Sequence, residues 1–117
     1  MIPLAAIVAG GIGAVARYVI SGSVQQRSDP SLPLGTATVN LVGAFAVGIA
    51  AAVLEPGSLA LGLSVGFLGG FTTFSTWVVE TVRLAERGGG RVVAALNLVL
   101  PALAGVALAA LGYHLAE

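Results

Sequence analysis

Long apolar stretches alternate with short polar joints along this chain. No Asp, Glu, Lys or Arg occurs in residues 1–16, 30–54, 56–79 or 92–116. A helix that crosses a bilayer needs about 20 mostly apolar residues. The pattern therefore predicts four spanning helices, near 3–24, 33–54, 58–82 and 92–115. The first run has no positive residue before it and nothing soluble after it, so it reads as a span and not as a secretory signal. With the helices placed, residues 1–117 form a single membrane domain.

Small residues add a second pattern. Gly62, Gly66 and Gly70 recur every fourth residue on the third helix, as do Gly10 and Ala14 on the first. Such rows let helix backbones approach closely in lipid, where packing drives association. They imply a tight bundle and no particular function. A four-helix unit fills its own centre with side chains, so any path across the membrane is expected between subunits of an oligomer.

Composition agrees with the periodicity. The chain is 57% hydrophobic and only 9% charged, against about 25% charged in soluble domains. That excludes a soluble enzyme, and the lack of a basic patch excludes nucleic-acid binding. Without cysteine, neither disulfides nor thiol chemistry is available. The sequence offers no phosphate-binding loop, nucleophile–base pair or metal-ligand cluster. Charge placement says more than net charge. Arg27, Arg83, Arg87 and Arg91 all lie in or beside the first and third loops, and the N-terminus, the Glu55 loop and the C-terminus hold no Lys or Arg. The positive-inside rule puts loops one and three in the cytoplasm and both termini outside.

The polar residues within the spans are the candidates for function. Asn40, in GTATVNLVGAF, offers donors and an acceptor to a neighbouring helix or to a passing ion. Arg17, in GGIGAVARY, either snorkels to the surface or draws anions into a vestibule. Glu80 is a terminal charge or part of a path, and His114 is interfacial. Asn97 precedes Pro101 by four residues, and a proline there removes a backbone donor and favours a kink. The stretch GGFTTFSTW, residues 69–77, stands out most. Gly69 and Gly70 followed by Thr72, Thr73, Ser75 and Thr76 predict a break in the third helix at that point. Irregular backbone at membrane depth survives only where protein or a watery cavity satisfies it. Such a break releases carbonyls that suit a cation, and Phe74 and Trp77, three apart, can offer ring edges to an anion. Donors outnumber carboxylates within the spans, which favours an anion.

These motifs resemble the Fluc (CrcB) fluoride channels of microbial membranes, over all four helices: GGIGAVARY on the first, GTATVNLVGAF on the second and GFLGGFTTFSTW on the third. The resemblance implies an all-α integral membrane protein in the cell membrane. It further implies an antiparallel dimer with two narrow fluoride paths at the subunit interface and a structural sodium ion at its centre. The sodium ligands would be the backbone carbonyls of Gly69 and Thr72 from both subunits. Asn40 would donate to fluoride and Phe74 would present a ring edge. Ser75, Thr76 and Glu80 match the polar track, and Arg17 matches the arginine of the vestibule.

Two positions depart from the family pattern, which normally has phenylalanine at Trp77 and serine at Pro101. Tryptophan is larger and carries an N–H donor, so it either lines the path or plugs it. The expected function is passive, selective export of fluoride by a channel subunit, with no enzymatic chemistry. Family homodimers have dual topology, inserting in both orientations. The one-sided arginines here point instead to a heterodimer with an oppositely inserted homologue, in which one pore is altered or silent. A small multidrug-type transporter needs a first-helix carboxylate where this chain has Arg17, and a non-transporting assembly subunit leaves TTFST without a role.

Overall fold

The computed structural model describes residues 2–87 and 90–117, so the middle of the third loop lies outside the described residues. Five helical segments follow one another: α1 (Ile2–Gln26), α2 (Leu34–Val53), α3 (Leu59–Phe71), α4 (Ser75–Glu86) and α5 (Arg91–Ala116). Segments α3 and α4 are the two halves of one span, Leu59–Glu86, which makes four spans long and apolar enough to cross a membrane. The longest dimension, 49 Å, exceeds the roughly 30 Å hydrocarbon core of a bilayer. The third span runs four residues beyond its expected end at Val82. Helical hydrogen bonding continues into the charged turn of Arg83 and Glu86, where a reading based on apolar runs stops.

Two helix pairs organise the bundle: α1 lies along α3, and α2 lies along α5. Both contacts are made backbone to backbone. A Cβ on Gly66 would run into the Ala6 carbonyl, and one on Gly70 into the Gly10 carbonyl. The small-residue rows on α1 and α3 thus face each other. An equivalent contact joins α2 and α5, where Gly48 abuts the carbonyl of Ala109 and Gly112 that of Phe45. Its glycines have no four-residue spacing, so spacing alone does not reveal it.

The side-chain core is correspondingly thin. Val39 is the largest fully buried side chain among the described residues, while Val8, Ile12, Leu103 and Val106 are well exposed. Outward apolar side chains cost nothing in lipid, whose tails are as apolar as leucine.

The loops fix the ends. Across the loop between α1 and α2, Gln25 in the last turn of α1 donates through Nε2 to the Leu32 carbonyl at 2.8 Å and accepts through Oε1 from the Gly35 N–H at 3.1 Å. Asp29 Oδ1 accepts from the N–H and the hydroxyl of Ser31 at 2.9 and 2.7 Å. Arg87, after α4, donates to the Ser31 carbonyl at 3.0 Å, so the arginine-bearing loops meet at one end of the bundle. At the other end Gly57 takes a positive φ of 78°, which a glycine adopts without strain, and Ser58 Oγ caps α3 through the Leu61 N–H.

Candidate functional site

The third span breaks at Thr72–Phe74, slightly later than the sequence predicts. Gly69 and Gly70 stay helical, and Gly70 serves the close approach to α1. The hydroxyl residues end the helix instead. Thr72 turns to extended backbone with ψ 162°, and its Oγ1 donates back to the Leu68 carbonyl at 2.9 Å. Thr73 Oγ1 accepts from the Thr76 N–H at 3.2 Å and so caps the start of α4.

Asn40 holds the break. Its Nδ2 donates to the Thr73 carbonyl at 2.9 Å, and its Oδ1 accepts from the Thr73 N–H at 2.7 Å. One side chain from α2 thereby satisfies both backbone groups of a residue that neither half-helix can serve. An Asn amide has two N–H bonds, so one donor remains beyond this pair. Asn40 is therefore interhelical glue with a donor left over.

Four carbonyls, of Gly69, Gly70, Phe71 and Thr72, receive no backbone donor among the described residues. These are the orphan acceptors of a helix C-terminus, and the first N–H groups of α4 lie just beyond them. The break thus brings the partial negative end of one half-helix beside the partial positive end of the next. Gly69 is exposed, with nothing within 4 Å of where a Cβ would sit, so its side of the break is open.

Three clefts meet around this point. A polar cleft of about 550 Å³ is lined by Arg17, Ser21, Gln25, Thr36, Thr73, Thr76 and Glu80 among others. Glu80 Oε1 is buried without a hydrogen-bond partner among the described residues. A more apolar cleft of about 280 Å³ holds Asn40, Thr72, Thr73, Phe74, Trp77 and Pro101. A third, of about 300 Å³, runs past Asn40, Gly43, Gly69 and Thr72. Thr73 belongs to the first two and Asn40 to the last two, so the Asn40–Thr73 pair stands where all three converge.

The expected residues divide accordingly. Arg17, Thr76 and Glu80 share the polar cleft; Asn40, Phe74 and Trp77 share the apolar one; Gly69 and Thr72 face the third. Ser75 is exposed at the start of α4 and lines none of these three. Phe74 is 71% exposed. Its ring meets Trp77 edge to face, with centroids 5.8 Å apart and planes at 75°. Trp77 Nε1 donates to the Asn97 carbonyl at 2.7 Å. Two cleft-lining residues are not among the expected path residues: Thr73, which reads only as part of the helix break although its spacing to Thr76 is a capping signal, and Thr36, one helical turn before Asn40.

Fold and site together define a four-span helical membrane protein with a broken third span, built around a bound amide and open on one side. The family model described as CrcB-like protein, Camphor Resistance (CrcB), matches residues 4–113. The chain belongs to this CrcB (Fluc) family, the one that GGFTTFSTW resembles. Fluoride-specific ion channel FluC 2 of Mycobacterium bovis is 43% identical over 109 residues, covering 92% of this chain and 85% of that protein. Fluoride-specific ion channel FluC 2 of Cutibacterium acnes is 46% identical over 112 residues, covering 92% and 90%. Fluoride-specific ion channel FluC of Geobacter sulfurreducens is 46% identical over 90 residues, covering 73% of each.

Proposed function

We propose that the chain is a subunit of a fluoride-selective channel that lets cytoplasmic fluoride leave passively across the cell membrane. The observation that carries this reading is the Asn40–Thr73 pair at the meeting of three clefts, in a chain whose relatives are fluoride channels. Fluoride enters the polar cleft, where the Arg17 charge raises its local concentration. The hydroxyl of Thr76, which accepts from the Thr73 hydroxyl at 3.1 Å and keeps its own O–H, then replaces water around it. The remaining N–H of Asn40 and the ring edges of Phe74 and Trp77 take over in the apolar cleft. An inside-negative potential supplies about 2.3 kcal/mol per 100 mV for the outward step. Narrowness keeps out the larger chloride.

The single subunit leaves this route open on the side of Phe74 and Gly69, and a second, oppositely inserted subunit closes it in our reading. The orphan carbonyls at the break fit a hard cation, and those of Gly69 and Thr72 from both subunits would hold sodium. Bound there, sodium would offset the partial negative charge of those carbonyls. A heterodimer is the second reading. The one-sided arginines favour it, and relatives named FluC 1 and FluC 2 are in keeping with it. Family membership leaves the multidrug-transporter alternative without support.

The test is efflux from liposomes carrying this purified chain alone, started by an ionophore that relieves charge build-up. Fast fluoride release with chloride retained supports the channel and shows that a homodimer suffices. Equal release of both anions contradicts the reading. Silence of well-folded protein, unrelieved by an oppositely oriented homologue, contradicts it as well.

A further inference from the structure

Pro101 and Trp77 belong to different spans, yet one consequence of the proline ends on the indole. A proline has no N–H, so within a helix it leaves the carbonyl four residues earlier without its donor. In α5 that carbonyl belongs to Asn97. Lipid offers no substitute donor, so an unsatisfied carbonyl there is costly. The donor comes from α4, as Trp77 Nε1–H reaches the Asn97 oxygen at 2.7 Å. The same two residues are tied a second way. Asn97 Nδ2 donates to Thr81 Oγ1 at 2.9 Å, and Thr81 Oγ1 donates to the Trp77 carbonyl at 2.8 Å. Both the ring and the backbone of Trp77 are thus fastened to one residue of α5. The fastened ring and Pro101 line the same cleft as Asn40 and Phe74.

We propose that Pro101 is a positioning residue for Trp77: by freeing the Asn97 carbonyl it creates the acceptor that holds the indole against α5, as a fixed wall of the anion cleft and not as a plug. The functional half of this statement rests on the fluoride-channel reading; the structural half does not. The tryptophan of α4 and the proline of α5 are one coupled feature. The indole N–H is consumed by α5 and is not a donor to the passing ion. Selectivity then depends on where α5 keeps the ring.

The chain has one tryptophan, so its indole N–H gives a single resonance, and hydrogen exchange of that proton can be followed in nanodiscs holding the full-length protein. Pro101→Ala restores a helix donor to Asn97 and is not expected to impair folding. It should speed indole exchange about 2–10-fold, as expected when a hydrogen bond of ordinary net strength is shared or lost. It should also lower the fluoride-to-chloride efflux ratio by a similar factor. Trp77→Phe leaves the Asn97 carbonyl orphaned and should slow fluoride efflux. Adding Pro101→Ala to Trp77→Phe should restore part of the lost rate, because the backbone then satisfies the carbonyl. Unchanged indole exchange in Pro101→Ala overturns the coupling. Faster exchange with an unchanged efflux ratio overturns the wall. Failure of the native chain to release fluoride, with or without an oppositely inserted homologue, removes the wall together with the channel reading, while indole exchange still decides the coupling.

Discussion

The two halves of the third span are held in opposite ways. α3 lies against α1 through glycine, with carbonyls of one helix set where side chains of the other would be. α4 lies against α5 through side-chain hydrogen bonds, Trp77 to Asn97 and Asn97 to Thr81. The first contact is close and indifferent to chemistry, since any sequence with small residues in register can make it. The second uses polar groups that are costly in lipid and spends them in fixed directions. Between the two, Thr72–Phe74 belongs to neither half, and the cleft-lining groups gather there.

Substitutions that exchange the two modes should have the largest effects. Gly70→Leu drives a side chain into the Gly10 backbone, and overpacking of this kind costs about 1–3 kcal/mol or more where backbone must move. The variant is expected to lose the monodisperse peak in size-exclusion chromatography. Gly11→Ala, next to Gly10 on α1 and facing open space, is expected to keep it. Equal behaviour of the two would show that α1 and α3 do not approach closely.

Asn40→Ala comes next. It orphans the N–H and the carbonyl of Thr73 together, at about 1–3 kcal/mol for each buried group. A fall in thermal stability is expected with loss of fluoride efflux. Asn40→Asp retains the acceptor but not the donor, and should lie between Ala and the native chain in stability.

Phe74→Leu sharpens the contrast, because Phe74 is largely exposed in the chain. Stability of the subunit should change little. Fluoride efflux should drop about 2–10-fold if the ring edge contributes an aromatic interaction of ordinary size. A stability loss without an efflux change would return Phe74 to simple packing.

The smallest effect belongs to the loop end. The Asp29 carboxyl is held below its ordinary value by the N–H and hydroxyl of Ser31. Its contribution to the turn is therefore present above the ordinary aspartate value and is lost as pH falls through the lowered one. Amide exchange at Ser31 should be flat near neutral pH after correction for intrinsic rates, and should quicken only in acid. Asp29→Asn should show no such acid step.

Much of this architecture is legible in the apolar runs, since a charge-free stretch of spanning length has few alternatives to a membrane helix. The facing of α1 and α3 follows from their glycine rows. The break is legible in kind but displaced in place. Gly69 and Gly70 read as helix breakers, yet both stay helical, Gly70 at a close helix–helix contact where small size outweighs poor propensity, and the threonines that follow end the helix by returning hydroxyls to the backbone. Asn40 stands out as an amide inside a span, but its partner, Thr73, is 33 positions away and emerges only once α2 meets the break. The Trp77–Asn97 bond is harder still. The interval from Asn97 to Pro101 announces an orphaned carbonyl, and nothing local says which residue supplies its donor.

The most direct test of the central claim, that the clefts around the Asn40–Thr73 pair form a fluoride path, is the reversal potential of currents through planar bilayers holding the purified protein. With fluoride on one side and chloride on the other, the account predicts a current carried by fluoride and a reversal potential that follows the fluoride gradient and ignores chloride. A reversal potential that shifts with chloride, or the absence of any fluoride current from well-folded protein with or without an oppositely inserted homologue, would contradict it.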